Sequence, residues 1–229
     1  MNAFVESVLQ SKPRVAAFDC DGTLWSGDAG ESFFAWEIKQ GIISKSLGLK
    51  MQDRYAEYKA GRVSEEEMCG ELVTMHAGMP EAELIKASME FLDQSFPGHI
   101  FPEMRDLVQR LLAGGCDVWA VSSSNEWVIR VAMKQFGIAE GRILAAAVEI
   151  DNGVITDRLI RIPSGPGKPK ALREVAGRTI DAAFGNSRWD MEMLEMAGHA
   201  FAVNPNPDLL AAARVRGWTV YFPEQVRHE

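Results

Sequence analysis

The chain has 229 residues, of which 47% are hydrophobic and 24% charged, enough for one sizeable α/β domain or a core domain with a smaller insert. Its formal net charge is -8, from 32 acidic and 24 basic residues, so we expect no nucleic-acid partner, because proteins bind phosphate backbones through Lys and Arg. The three cysteines form no paired framework, no apolar run reaches the roughly 20 residues of a membrane helix, and the first residues lack a basic leader. These features predict no membrane partner and a cytoplasmic location with reduced thiols.

Short apolar runs alternate with helical patterns along most of the chain. The predicted strands cover residues 14–19, 117–122, 142–148, 180–185 and 199–203, and the predicted helices cover 104–113, 126–136, 168–175 and 190–196. This alternation predicts an α/β fold with a Rossmann-like parallel sheet and helices on both faces. Ligands of such sheets bind beyond the carboxyl ends of the strands.

Residues 26–97 interrupt the alternation and contain amphipathic helical segments without a convincing strand. These segments cover residues 31–40, 44–59, 64–75 and 81–93, with Ser64 and Pro80 as helix starts. We therefore predict a core formed by residues 1–25 and 98–229 and an all-helical insert at 26–97, placed after the first strand where it would cover the crevice. Further along, residues 148–156 predict a β-hairpin that turns at Asn152 and Gly153.

The first chemical motif is the sequence FDCDGTL at residues 18–24, directly after the first strand. Asp19 and Asp21 lie two residues apart where the chain turns at a glycine, so both carboxylates can reach one crevice. One can attack phosphorus, and the other can protonate a leaving alcohol and later activate water. The same D-x-D-G pattern also occurs in calcium loops and in plain turns, but a calcium loop would not follow an apolar strand.

The second and third motifs carry candidate phosphate ligands. Ser122 ends the second strand and Ser123 follows it, so hydroxyl and backbone N–H groups there can hold phosphate oxygens, although these residues are also typical helix caps. Lys168 opens a helix, where it can neutralise both the nucleophile and the phosphoryl group. A solvated lysine is the plainer interpretation, and Lys170 is the alternative position.

The fourth motif is GNSRWD at residues 185–190, again between a strand and a helix. Oxygens of Asn186 and Asp190, together with Asp19 and Asp21, predict a site for Mg²⁺, which prefers oxygen ligands. The alternative is a helix start capped by Asn186 or Ser187.

Taken in order, these four motifs resemble those of the haloacid dehalogenase superfamily of phosphohydrolases over essentially the whole chain. The helical insert resembles the cap of the phosphoserine-phosphatase-like branch (subfamily IB). The resemblance implies that Asp19 is the nucleophile, Asp21 the general acid and base, Ser122 and Lys168 the phosphate ligands, and the Asn186–Asp190 pair part of the Mg²⁺ site. The family usually has Asp where this chain has Asn186, so we expect a raised metal requirement.

Two residues of the insert are candidates for recognising the rest of the substrate. Phosphoserine phosphatases carry a Glu where this chain has Asp28, which can meet an ammonium group or cap a helix instead. Arg62 can meet a carboxylate, although a surface role is the plainer interpretation. The sequence thus predicts an Mg²⁺-dependent phosphomonoesterase for a small phosphoserine-like or amino-alcohol phosphate, working through an aspartyl-phosphate. A phosphotransferase or mutase and a non-catalytic phosphate-binding protein are the alternatives.

Overall fold

The sheet is the organising element of the computed structural model, which describes residues 2–177 and 179–226. Within these residues it has seven strands in the order β4-β3-β2-β1-β5-β6-β7. The strands are β1 Val15–Phe18, β2 Asp117–Asn125, β3 Ile143–Asp151, β4 Val154–Arg161, β5 Ala182–Gly185, β6 His199–Val203 and β7 Thr219–Tyr221. All neighbours pair in parallel except β3 and β4. The predicted α/β class with a mostly parallel sheet is therefore confirmed.

Ten α-helices accompany the sheet in the described part of the chain. They are α1 Ala3–Gln10, α2 Ala29–Gln40, α3 Lys45–Lys59, α4 Glu65–Thr74, α5 Glu81–Ser95, α6 Pro102–Ala113, α7 Glu126–Met133, α8 Gly167–Ala176, α9 Met191–Glu195 and α10 Pro207–Arg216. None of the helices in the described residues is long and apolar enough to cross a bilayer.

Both faces of the sheet are covered by helices, as the sequence predicted. Successive side chains of a strand point to opposite faces, and in β1 Ala16 and Phe18 join one buried cluster whereas Val15 and Ala17 join another. The first cluster includes side chains of α1, α6 and α7, and the second includes side chains of α8, α9 and α10. A strand buried on both faces accounts for the unbroken apolar run at the start of the chain.

The segment between β1 and α6 forms four helices, α2 to α5. The chain leaves and re-enters the sheet region at one place, because the Phe101 N–H donates to the Leu24 carbonyl at 3.0 Å and the Ser26 N–H to the His99 carbonyl at 2.9 Å. A separate apolar cluster around Phe34, which also contains residues of α3 and α4, packs inside this segment. The boundaries 1–25, 26–97 and 98–229 stay predictions.

Local signals set several element ends. The predicted helix start at Ser64 is confirmed, since its hydroxyl accepts from the Glu67 N–H at 3.1 Å. The β3–β4 hairpin turns at Asn152 and Gly153, both with positive φ, as two-residue turns require. The sequence did not predict α1, α10 or β7. In α10 (PDLLAAARVR) the apolar residues are spread around the helix, so no clear amphipathic pattern marks it.

Candidate active site

Asp19 lies at the carboxyl end of β1, the central strand, and is only 6% exposed. Its N–H donates to the Phe184 carbonyl of β5, which continues the sheet for one more residue. Its Oδ1 accepts from Lys168 Nζ at 2.7 Å, and its Oδ2 accepts from the Thr23 hydroxyl at 2.7 Å. Burial, together with the nearby Asp190 carboxylate, raises the pKa of Asp19 to about 7. The carboxylate is therefore fixed in place, and its negative charge is destabilised by its surroundings.

Asp21 lies in the turn that follows, and three donors hold its side chain. Its Oδ1 accepts from Trp25 Nε1 at 2.8 Å and from the Ala29 N–H at 2.6 Å, and its Oδ2 accepts from the Ser124 hydroxyl at 2.7 Å. Burial and the Asp28 carboxylate raise the pKa of Asp21 to about 7. A carboxyl with such a pKa can donate and accept a proton near neutral pH, as a general acid and base must.

Lys168 is the cation that joins the motifs. The side chain is 2% exposed, and Nζ donates to Asp19 Oδ1 at 2.7 Å, to Asp190 Oδ1 at 2.6 Å and to the Val121 carbonyl at 3.1 Å. Burial alone would lower the pKa of Lys168, but the two carboxylates raise it above its ordinary value. The ammonium group is thus kept charged beside Asp19.

Asp190, which the sequence predicted as a metal ligand, lies beside Lys168 and the 186–187 turn. It is fully buried; its Oδ1 accepts from Lys168, and its Oδ2 accepts from the Asn186 N–H at 3.0 Å and from the Ser187 N–H at 2.9 Å. The Ser187 hydroxyl also donates to Oδ2 at 3.2 Å, and Ser187 and Asp190 form a capping box through their side-chain contacts with each other's backbone. Asp190 therefore holds Lys168 with one carboxylate oxygen and the 186–187 turn with the other.

Asn186 approaches the first motif closely, and a glycine makes this possible. Gly22 has φ +72°, and a Cβ added there would lie 1.8 Å from Asn186 Nδ2. Asn186, Asp19 and Asp21 line the same cleft. The turn after β1 and the turn after β5 therefore meet with room for glycine only.

The oxygen donors at this meeting point fit Mg²⁺. Asp19 and Asp190 share the ammonium of Lys168, and Asp21 lines the cleft with Asp19, so a cation here would offset negative charge. Among the described residues, no three His, Cys, Asp or Glu side chains group as a closed metal site. Mg²⁺ commonly binds through one or two carboxylates and keeps several waters, and it accepts amide oxygens such as that of Asn186.

The two serines predicted as phosphate ligands, both near the carboxyl end of β2, take different positions. Ser122 is 1% exposed, and its hydroxyl accepts from the Ser124 N–H at 3.1 Å. Ser123 lines the cleft, and its hydroxyl donates to Glu65 Oε1 at 3.3 Å. Ser123 is therefore the serine placed at the cleft surface, whereas Ser122 shapes the turn behind it.

The cleft has a volume of about 480 Å³ and brings most of the predicted site residues together. Its lining includes Asp19, Asp21, Asp28, Ser123, Lys168 and Asn186. Asp28 also caps α2, accepting from the Glu31 N–H at 2.8 Å, whereas its contact with a substrate stays a prediction. Arg62 does not line the cleft: its side chain is 61% exposed and pairs with Glu57.

Sequence reasoning missed three residues that shape the site. Thr23 holds the Asp19 carboxylate, and its place inside the first motif was an available signal. Ser124 holds Asp21, and Lys59 reaches the cleft from the end of α3. No local pattern distinguishes these two from core or surface residues, because their contacts form only in the folded chain.

Comparison with known proteins identifies a family. The model of the haloacid dehalogenase-like hydrolase family matches residues 16–195. The chain is 27% identical to a histidinol-phosphatase of Neisseria meningitidis over 90% of this chain and 97% of that protein. It is also 27% identical to a phosphoserine phosphatase of Mycobacterium tuberculosis, over 90% of this chain and 69% of that protein.

A solved structure supports the fold. A protein of unknown function from Bordetella pertussis superposes with a TM-score of 0.81 at 23% identity, covering 91% of this chain and 97% of the other. At this identity the likeness concerns the fold alone. The sheet and the helices on its faces are therefore shared with a known architecture.

Proposed function

Because the chain belongs to the haloacid dehalogenase-like hydrolases and is a phosphatase, we propose that it is an Mg²⁺-dependent phosphomonoesterase working through an aspartyl-phosphate on Asp19. The proposed substrate is a small phosphorylated metabolite of the phosphoserine or amino-alcohol type. The observation that supports this best is the contact of Lys168 Nζ with Asp19 Oδ1 at 2.7 Å, in a cleft that also receives Asp21. A buried ammonium at the nucleophile lowers the repulsion between two anionic reactants.

In the first step, an oxygen of Asp19 attacks phosphorus. The bond between phosphorus and the substrate's alcohol oxygen breaks, and Asp21 gives its proton to that oxygen. In the second step, Asp21 takes a proton from water as the water oxygen attacks the phosphorus of the aspartyl-phosphate. The bond to Asp19 breaks, inorganic phosphate leaves, and both carboxyl groups return to their starting states.

Two groups are proposed to hold the phosphoryl oxygens during these steps. Lys168 supplies fixed positive charge, and Ser123 offers a hydroxyl at the cleft surface. Ser122 accepts from the Ser124 N–H and so holds the backbone beside Ser123 in place; its proposed effect on phosphate binding is therefore indirect. Because these donors are already oriented, little reorganisation is needed when charge moves onto the phosphoryl oxygens.

Asp19 and Asn186, with an oxygen of Asp21, are proposed to hold Mg²⁺. When bound, the ion shields the negative charge of nucleophile and phosphate and polarises the phosphoryl oxygens. Asp190 is proposed to keep Lys168 and the 186–187 turn in position. A small phosphomonoester substrate and thiols that form no disulfide are also compatible with the cytoplasmic location that we propose.

The test is release of phosphate from a panel of small phosphomonoesters with and without Mg²⁺. We expect metal-dependent release by the wild type and none by Asp19→Asn, which keeps the size of the nucleophile but not its charge. Asp106→Asn, an exposed carboxylate of α6, is the matched control and should behave as the wild type. Release by Asp19→Asn at the wild-type rate would overturn the nucleophile assignment.

A further inference from the structure

A second, smaller cavity lies beside the cleft, between helices α2, α3 and α4 and the carboxyl end of β2. Its volume is about 50 Å³, which is room for about three to five water-sized groups. It shares five lining residues with the cleft, namely Asp28, Glu31, Tyr58, Glu65 and Ser123. The inner cavity therefore adjoins the space that a substrate occupies when its phosphate lies at Asp19.

Glu37 lines the inner cavity and has an unsatisfied oxygen. The residue is fully buried, its Oε1 lies 2.8 Å from His76 Nε2, and its Oε2 has no hydrogen-bond partner among the described residues. A buried carboxylate oxygen without a donor is costly, whereas a donor supplied by a ligand would recover that cost. Burial raises the pKa of Glu37, and the contact with His76 opposes this effect.

His76 keeps Glu37 in place. It is fully buried, with Nδ1 3.3 Å from the Val73 carbonyl and its ring packed edge-on against Trp127 at 5.6 Å between ring centres. Each ring nitrogen of His76 faces an acceptor, so the orientation of the imidazole is fixed. Oε1 of Glu37 is already engaged by His76. The oxygen left for a ligand is Oε2.

The walls around this oxygen are acidic and aromatic. Carboxyl groups of Asp28, Glu31 and Glu65 line the cavity with Glu37, and the rings of Phe34, Tyr55 and Tyr58 complete much of the wall. Aromatic faces attract cations. Both features favour a positively charged group.

A substrate carboxylate finds no matching partner within the described part of the chain. The only Lys or Arg side chains there that line the cleft or the inner cavity are Lys59 and Lys168. Lys168 is taken up by Asp19 and Asp190, and Lys59 Nζ lies 3.2 Å from Glu31 Oε2. Arg62, the residue considered for a carboxylate, is paired with Glu57 outside both spaces.

We propose that the inner cavity binds a positively charged nitrogen of the leaving group, with Glu37 Oε2 as its acceptor, and that the substrates are phosphomonoesters of small amino alcohols without a carboxylate. This inference rests on the proposed phosphatase function and narrows its substrate class. In this proposal Glu37 determines substrate specificity, and His76 positions Glu37.

The kinetic test compares phosphoethanolamine, its neutral analogue ethyl phosphate and phosphoserine in the wild type and in Glu37→Gln. The amide keeps an acceptor for His76 but removes the charge. We expect the wild type to prefer phosphoethanolamine over both other esters in kcat/KM. In Glu37→Gln, the KM for phosphoethanolamine should rise about 10- to 100-fold, the range of a charged hydrogen bond, with ethyl phosphate unchanged. Glu90→Gln, an exposed carboxylate of α5, is the matched control.

A binding test separates this inference from the phosphatase function. Calorimetry on Asp19→Asn measures binding of phosphoethanolamine and ethyl phosphate without turnover, and we expect tighter binding of the amine. Amine preference in binding without phosphate release by the wild type would overturn the phosphatase function and support the subsite. Phosphate release with equal use of amine and neutral esters, or with preference for phosphoserine, would overturn the subsite even if Glu37→Gln fails to fold.

Discussion

Lys168 Nζ lies 2.7 Å from Asp19 Oδ1, although 149 positions separate the two residues in the chain. Asp19 follows β1. Lys168 lies in the first turn of α8, the helix that precedes β5, and β5 is the neighbour of β1 in the sheet. The ammonium also contacts Asp190 at 2.6 Å, so one buried cation holds two buried carboxylates. Removing the cation would leave both buried carboxylates uncompensated, which is why the first prediction concerns Lys168.

Replacing Lys168 with Met should reduce both turnover and stability. The methionine fills similar space but leaves Asp19 and Asp190 without their cation. We expect kcat to fall by about 100-fold or more and the free energy of unfolding to fall by about 3 kcal/mol. Steady-state kinetics and urea unfolding measure the two effects. Lys170→Met, at an exposed position two residues on, is the control; equal losses in both variants would contradict the assignment.

Replacing Asn186 with Asp should lower the Mg²⁺ concentration needed for turnover. A carboxylate adds one negative charge to the proposed ligand set, so the half-saturating Mg²⁺ concentration should fall by about tenfold. Titration of phosphate release with Mg²⁺ measures it. Asn152→Asp adds the same charge at the exposed hairpin turn and should change nothing. An unchanged metal requirement in Asn186→Asp would exclude Asn186 as a ligand.

In the metal-free protein, the contribution of Asp19 to stability should fall as pH rises from about 4 to about 7. The pKa of Asp19 is raised by burial from its ordinary value of 3.8 to about 7, so in this range the folded state binds a proton that the unfolded state has released. The cost of the buried charge is complete above pH 7 and absent below pH 4. Asp19→Asn should therefore raise the melting temperature by several degrees at pH 8 and hardly at all at pH 4.

Thermal unfolding in the presence of a chelator measures this difference. Asp106→Asn, on the exposed face of α6, should show no such pH-dependent gain. A melting temperature of Asp19→Asn that is raised equally at pH 4 and pH 8 would mean that charge on Asp19 does not destabilise the fold.

The sequence predicted the parts of the site that are encoded locally. Asp19, Asp21, Lys168 and Asn186 each follow or precede a strand or helix with a recognisable pattern, and a parallel sheet brings such ends to one edge. The contacts of Asp190 could not be predicted in the same way. Whether its oxygens are free depends on Lys168 and on the backbone of the 186–187 turn, which meet it only in the folded chain.

The side chains that the helical insert brings to the inner cavity and the cleft were still less predictable. Glu37 lies in α2 and His76 follows α4, 39 positions away, and neither belongs to a motif. Lys59 and Arg62 lie three positions apart at the end of α3, yet only Lys59 reaches the cleft. Such differences depend on how the helices pack against one another. The apolar pattern of a helix predicts which of its faces is buried, but not which residues that face will contact.

Replacing Gly22 with Ala should abolish activity, because two effects add at this position. Gly22 has φ +72°, and a new Cβ would lie 1.8 Å from Asn186 Nδ2, so the Asn186 side chain must move. Gly41 has φ +71°, and no atom of the described residues lies within 4 Å of a methyl group added there, so Gly41→Ala isolates the backbone cost of about 1–2 kcal/mol. We expect Gly41→Ala to lose that stability and keep wild-type kinetics, whereas Gly22→Ala loses more stability and its metal-dependent turnover. Equal behaviour of the two variants would mean that close contact between the first and fourth motifs is not required.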